Sequence, residues 1–149
     1  MSSSALFPAD ESEWILAEGE KPGPPIMIRF RPLRPSRADM DRFRFLIIAY
    51  WSYEPDNSSG LPNEALQDAM GEFEDRVAQA SDADPTWGTC VAIKTHDGMR
   101  EWRFYSPDVA LFQSKFSRAL DGLGPYPLEF EVLEDPDWEG LAQFRDYAR

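Results

Sequence analysis

One cysteine, Cys90, and one histidine, His96, stand in a chain of 149 residues. A single thiol excludes an intrachain disulfide framework. The N-terminus shows no basic segment followed by a long apolar one, so no secretory leader is expected, and a reducing, cytoplasmic setting follows. A single imidazole excludes a two-histidine dyad. With one thiol beside it, a zinc site lacks the several Cys or His ligands it needs at short spacing. Cys90 and His96 do not make a nucleophile–base pair either, because six residues of one extended strand hold them roughly 20 Å apart. Long apolar runs are also missing. The longest, Leu46 to Trp51, has strand length and falls far short of the ~20 residues of a membrane span. No Gly-x-Gly-x-x-Gly, P-loop, Gly-x-Ser-x-Gly or Asp-x-Asp-x-Asp-Gly loop occurs. No cofactor and no metal is therefore expected.

Basic charge is scarce. Lys and Arg number 15 against 27 Asp and Glu, for a net charge of −12. That balance opposes DNA binding, which needs cations on phosphates, and docking on anionic membranes. It also disfavours RNA, although Tyr50, Tyr105 and Trp87 are candidates for a stacking platform, and no ribonucleoprotein octapeptide is present. The arginines that exist are bunched. Arg29, Arg31, Arg34, Arg37, Arg42 and Arg44 fall in one window with only Asp39 and Asp41 as acids. A local basic patch on an acidic body favours a protein partner, self-association or a small anion. The plainer reading is a solvated loop.

Apolar residues make up 42% of the chain and aromatics 13%, enough for one globular core. Residues 1–12 read as a disordered acidic tail, and 13–149 as a single domain. Trp14 to Ala17 is a short strand candidate. Ile26 to Leu33 alternates as a half-buried strand, with Arg29 and Arg31 on one side. Phe43 to Tyr53 is apolar on both faces, with Leu46, Ile48 and Tyr50 opposite Ile47, Ala49 and Trp51. Such a strand belongs inside a sheet covered on both sides. From Leu61-Pro62 to about Ala80, Leu66, Met70, Phe73 and Val77 recur at helical spacing. Trp87 to Thr95 and Arg100 to Tyr105 flank Asp97-Gly98, a two-residue hairpin turn. Ser106-Pro107-Asp108 reads as the start of a helix that buries Phe112 and Phe116. Leu128 to Val132 is a last strand, and Asp135 caps a short final helix anchored by Trp138. From Phe43 onward the order is strand, helix, strand, strand, helix, strand. The expected fold is α+β, with a ferredoxin-like βαββαβ core: an antiparallel sheet, two helices on one face, N-terminal strands that extend the sheet or cover its open face, and a short C-terminal helix.

Two stretches are distinctive as a pair: Gly98-Met99-Arg100-Glu101-Trp102-Arg103-Phe104-Tyr105-Ser106, and Tyr126-Pro127-Leu128-Glu129 followed by Asp135-Pro136-Asp137-Trp138. With Trp14-Ile15-Leu16-Ala17-Glu18-Gly19-Glu20 and Phe73-Glu74-Asp75, they resemble the bacterial DUF695 family over nearly the whole chain. In some bacterial proteins this domain looks to be joined to one like RraB, the regulator of ribonuclease E. The resemblance implies an association with binding or regulation and supplies no catalytic residue.

The candidate site residues follow from these segments. Arg100, Glu101, Tyr105 and Asp135 form a candidate polar recognition patch. Leu46, Ile48 and Tyr50 form a candidate apolar interface. Glu129 and Glu131 lie on one strand face about 7 Å apart. That separation suits acid–base work on a glycoside, but exposed glutamates lack the burial that raises a general acid's pKa. A charge pairing of Arg29 and Arg31 with Glu129 and Glu131, across the sheet or across a dimer, is the structural alternative. The leading expectation is a small acidic protein-binding or regulatory module that acts through protein–protein contacts, as a homodimer and with a further protein. A small-molecule-binding or hydrolytic domain using carboxylates and Arg is the second, and an RNA-associated regulator the third.

Overall fold

The computed structural model of the chain describes residues 14–19, 26–55 and 60–145. The expected tail over residues 1–12 lies outside them. The elements run β1 (Ile15–Gly19), β2 (Ile26–Phe30), α1 (Arg37–Arg42), β3 (Phe45–Ser52), α2 (Glu64–Ala83), β4 (Thr89–His96), β5 (Met99–Ser106), α3 (Val109–Ala119), β6 (Leu128–Glu134) and α4 (Glu139–Arg145). The strands form one antiparallel sheet in the order β1-β2-β4-β5-β3-β6. The fold is therefore mixed α and β, with β1 and β2 lengthening the sheet beside β4 and not folding over its face.

Both faces of the sheet are covered, as the two-sided β3 requires. On one face, Ile47, Ala49 and Trp51 of β3 and Trp102 and Phe104 of β5 lie beneath the apolar stripes of α2 and α3. Met70, Phe73 and Val77 supply the buried stripe of α2, and Phe112 and Phe116 that of α3. On the other face, Ile26, Ile28 and Phe30 of β2 join Leu46, Ile48 and Tyr105 beneath Trp138, Leu141 and Phe144. The cover there is the C-terminal helix α4, with Met40 of α1 at its edge.

Two helix starts and one additional helix depart from the sequence expectation. Asn63 is the N-cap of α2, its side chain accepting from Leu66 N at 2.8 Å, so Pro62 precedes the helix and does not open it. Asp108, not Ser106, caps α3 through Leu111 N at 2.8 Å; Ser106 Oγ instead donates to Trp87 O at 2.8 Å. Helix α1 was not expected. It is a six-residue turn capped by Ser36, whose hydroxyl accepts from Asp39 N at 3.1 Å, and it is too short to carry an apolar stripe. The β4–β5 turn is as expected: Asp97 and Gly98 adopt φ of 38° and 94°, the left-handed pair of a two-residue hairpin.

Phe73 holds the α2 layer together. Its ring packs edge-on against Trp102 at 4.8 Å, Phe116 at 5.8 Å and Trp51 at 6.1 Å. Truncating a fully buried aromatic removes its transfer energy and leaves a cavity. Phe73→Ala is expected to cost about 3–5 kcal/mol of stability, read as a lowered urea midpoint.

Candidate functional site

Side-chain alternation along β5 separates the four residues of the expected recognition patch. Glu101, Arg103 and Tyr105 face α4, while Arg100 faces α2. On the α4 side, Arg103 Nε donates to Glu101 Oε2 at 2.7 Å and Arg103 Nη1 to Gly140 O at 2.7 Å. The same guanidinium lies 4.4 Å from the centre of the Phe144 ring, a cation–π contact. Tyr105 stacks on Trp138 at 3.9 Å with an interplanar angle of 4°. Its hydroxyl donates to Asp135 Oδ2 at 2.6 Å. Asp135 also accepts from Glu139 N at 2.9 Å and Gly140 N at 2.8 Å, which satisfies the first turn of α4. Trp138 Nε1 donates to Phe43 O at 2.8 Å. Glu101, Tyr105 and Asp135 are thus brought together as the seat of α4. Their polar atoms face inward, and Tyr105 is fully buried.

Arg100 belongs to a second cluster on the α2 side. Arg100 Nε donates to Thr95 Oγ1 at 2.7 Å, and Arg100 Nη1 lies 3.4 Å from Glu74 Oε2. Arg29 Nη2 donates to the other oxygen, Glu74 Oε1, at 3.0 Å. Arg31 Nη1 donates to Thr89 Oγ1 at 2.9 Å. Burial pulls Arg100 below its ordinary pKa, and Glu74 acts against that pull. A cavity of about 280 Å³ lies between α2 and strands β2, β4 and β5, with Trp14, Arg29, Arg31, Glu74, Cys90 and Trp102 in its wall. Beyond Arg29 a smaller one of about 200 Å³ reaches Thr95 and Arg100. The Cys90 thiol is pushed up to about 12, by burial first and then by the charge of Glu74. It is a neutral thiol at ordinary pH, not a nucleophile.

The Arg–Glu pairing across the sheet is corrected by the strand order. Arg29 and Arg31 lie on or just after β2, and Glu129 and Glu131 on β6, with β4, β5 and β3 between them. Four strand spacings of ~4.8 Å put roughly 19 Å between the two strands, and the two pairs occupy opposite faces. Glu131 instead accepts from Tyr50 Oη at 2.7 Å. Burial, followed by that bond to Glu131, raises the Tyr50 pKa. The apolar interface is corrected too. Leu46 and Ile48 are each 4% exposed and lie beneath α4 of their own chain. The stacking platform is lost as well, since Tyr105 and Trp87 are buried. Three arginines of the window are ion-paired within the chain: Arg29 with Glu74, Arg37 with Asp41 and Asp137, and Arg44 with Glu134.

What the sequence reading passed over is the outer strand. Among the described residues β6 pairs with β3 alone, and Phe130, Val132 and Leu133 are 49%, 45% and 41% exposed. A shallow groove of about 390 Å³ runs between α3 and β6, floored by Ile47, Phe112 and Phe116 and walled by Phe130 and Val132. Alternation placed Phe130 and Val132 on the core face, but at the last strand that face is only half covered. Among the described residues no group of His, Cys, Asp and Glu is arranged to hold a metal ion, and no helix is long and apolar enough to cross a membrane.

These features define an α+β domain built on one six-stranded antiparallel sheet, with its motif residues turned inward and an apolar strand at its rim. The chain belongs to the DUF695 family, described as a family of unknown function, whose model matches residues 12–145. No match is found among curated proteins.

Two outcomes test the inward reading of the motif residues. Removing one partner of a buried ion pair leaves an uncompensated charge, whereas replacing both need not. Glu101→Ala is therefore expected to cost about 3 kcal/mol or more, and the double variant Glu101→Leu/Arg103→Met less than the single one, by urea denaturation. The second concerns pH. Burial, and after it the hydrogen bond to Asp135, raises the Tyr105 hydroxyl above its ordinary 10.0. Above that value the unfolded chain releases a proton that the folded chain keeps, so stability is full below pH ~10 and falls as pH rises beyond it. Tyr105→Phe should show a shallower fall over that range.

Proposed function

We propose that this chain is a small acidic protein-contact module, regulatory and not catalytic, that self-associates through β6. Its core reads as ferredoxin-like. Two strand–helix–strand halves meet at the β4–β5 hairpin, and their strands lie in the order β6-β3-β5-β4 with every neighbour antiparallel, the arrangement of a split βαβ pair.

The observation that carries the proposal is the outer edge of β6, which pairs with no further strand among the described residues. Proteins blunt an edge strand with a bulge, a proline, an inward charge or a covering element. The seven residues of β6 contain no proline, and they pair with β3 in unbroken register. On the α3 side its exposed side chains are Phe130 and Val132. Such an edge adds a strand through main-chain hydrogen bonds and takes its specificity from alternate side chains.

Of the antiparallel registers that overlap five or more residues of β6, one fits a second copy without glutamates face to face. Antiparallel pairing about Glu131 or Phe130 would set glutamates opposite one another, and like charges in register are unfavourable. Pairing about Val132 sets Glu131 opposite Leu133 and Phe130 opposite Glu134. It also brings the Phe130–Val132 surfaces of both copies together over the α3 grooves. The hydrolytic alternative gains nothing from Glu129 and Glu131, which sit exposed at the rim. The sole cysteine, Cys90, accords with a reducing, cytoplasmic setting.

Two bodies of charge −12 repel, so the dimer should tighten as salt rises. In sedimentation equilibrium, the wild type is expected at twice the monomer mass. Val132→Lys, with unchanged circular dichroism, is expected at the monomer mass. A wild-type monomer at the highest attainable concentration, or a Val132→Lys variant that still dimerises, would refute the proposal.

A further inference from the structure

We propose that Tyr50 and Arg44 prepare the β6 edge for self-association by drawing its glutamates toward β3, away from the incoming strand. The inference rests on the β6 reading above and names the residues that govern that contact. A charged side chain on an edge strand ordinarily guards it, because a second strand must strip the water from that charge. β6 carries three such charges, Glu129, Glu131 and Glu134. Two of them, Glu131 and Glu134, lie within residues 130–134, the stretch that pairs when two copies meet about Val132.

Both of these are held from the inner side. Tyr50 of β3 donates its hydroxyl to Glu131 Oε1 at 2.7 Å. It stands opposite Glu129 in the β3–β6 ladder, so its ring reaches along the strands to the next glutamate on the same face. Arg44, the residue before β3, sets Nη2 3.3 Å from Glu134 Oε2. Its backbone carbonyl accepts from Asp135 N at 2.7 Å, which fixes the arginine beside the end of β6. Both donors therefore stand on the β3 side of the strand. Bonds to an ionised carboxylate are the stronger kind, and each of these turns a carboxylate away from the outer edge.

The register about Val132 makes that turning matter. It sets Glu131 opposite Leu133 of the second copy, and Glu134 opposite its Phe130. With the carboxylates drawn toward β3, those apolar side chains meet the methylene stems of the glutamates. Without Tyr50 or Arg44, the freed carboxylate would swing over the edge and lose water against Leu133 or Phe130. The effect falls on association and not on the single fold. The Arg44–Glu134 side chains are 51% and 62% exposed, and an exposed ion pair adds little to the stability of one chain.

The test is sedimentation equilibrium of the full chain at one salt concentration, with circular dichroism as the control for folding. Tyr50→Phe removes only the hydroxyl. It is expected to weaken the dimer about fivefold, since a cross-strand mismatch counts twice in a twofold contact. Arg44→Gln is expected to weaken it to a similar degree. Rescue separates positioning from general damage. Tyr50→Phe/Glu131→Gln, which removes the freed charge, is expected to dimerise at least as tightly as the wild type, and so is Arg44→Gln/Glu134→Gln. A wild-type monomer removes the β6 reading and this inference with it. A dimeric wild type with either single variant at unchanged affinity overturns this inference alone, as does a double variant no tighter than its single parent.

Discussion

The Arg103 guanidinium is buried on a sheet face that one short helix must close. β3 and β5 carry apolar residues on both sides, so the sheet needs two covering layers. One layer is supplied by α2 and α3, long enough to bury continuous stripes. The other depends on α4, seven residues long. A helix of that length has no stability of its own. It persists because Arg103 holds the Gly140 carbonyl while resting on Phe144, and because Asp135 holds the Glu139 and Gly140 amides while accepting from Tyr105. The fit admits no side chain at position 140. A Cβ there would stand 2.6 Å from Leu46 Cδ2 and 3.0 Å from Tyr105 Oη.

That arrangement accounts for the family's motif residues as a unit. Asp135 is a cap, Trp138 a stacked lid over Tyr105, and the Glu101–Arg103 pair a polar post under the helix. A buried polar network of this kind is costly when half satisfied and rigid when complete. Its completeness leaves the α4 face without free recognition groups. The surfaces with unmet potential lie elsewhere, at the two ends of the sheet. Among the described residues β6 has an unpaired outer edge and exposed apolar side chains. Near β2 a cavity is lined by arginine and carboxylate side chains together.

Much of this is legible in the sequence. The two-sided apolar pattern of β3 required cover on both faces, helical spacing at Met70, Phe73 and Val77 fixed the buried side of α2, and Asp135-Pro136-Asp137-Trp138 read as cap and anchor. Other features were legible but misjudged. Strand alternation alone puts Arg100 and Glu101 on opposite faces, so a patch containing both was not available to one ligand. Pro62 and Pro107 pulled the helix starts too early, since proline suits the residues before a cap as well as the first turn, and Asn63 and Asp108 are the better caps. The rest depended on strand order, which no local pattern encodes. Alternation told which face Arg29 and Glu131 occupy along their own strands. It did not tell that three strands lie between them, or that Glu74, from α2, would bridge Arg29 and Arg100.

The central claim is that the motif residues lock α4 to the sheet, so that the two form one cooperative unit. Native-state hydrogen exchange tests it most directly. If the lock holds, the amides of Gly140, Leu141 and Ala142, which bond to Asp135 and Trp138, exchange only through global unfolding, with the same opening free energy as the β3 and β5 amides. Exchange of those three amides by a low-energy local opening, while β3 and β5 stay protected, would contradict the account and return the inner face to the list of surfaces a ligand can reach.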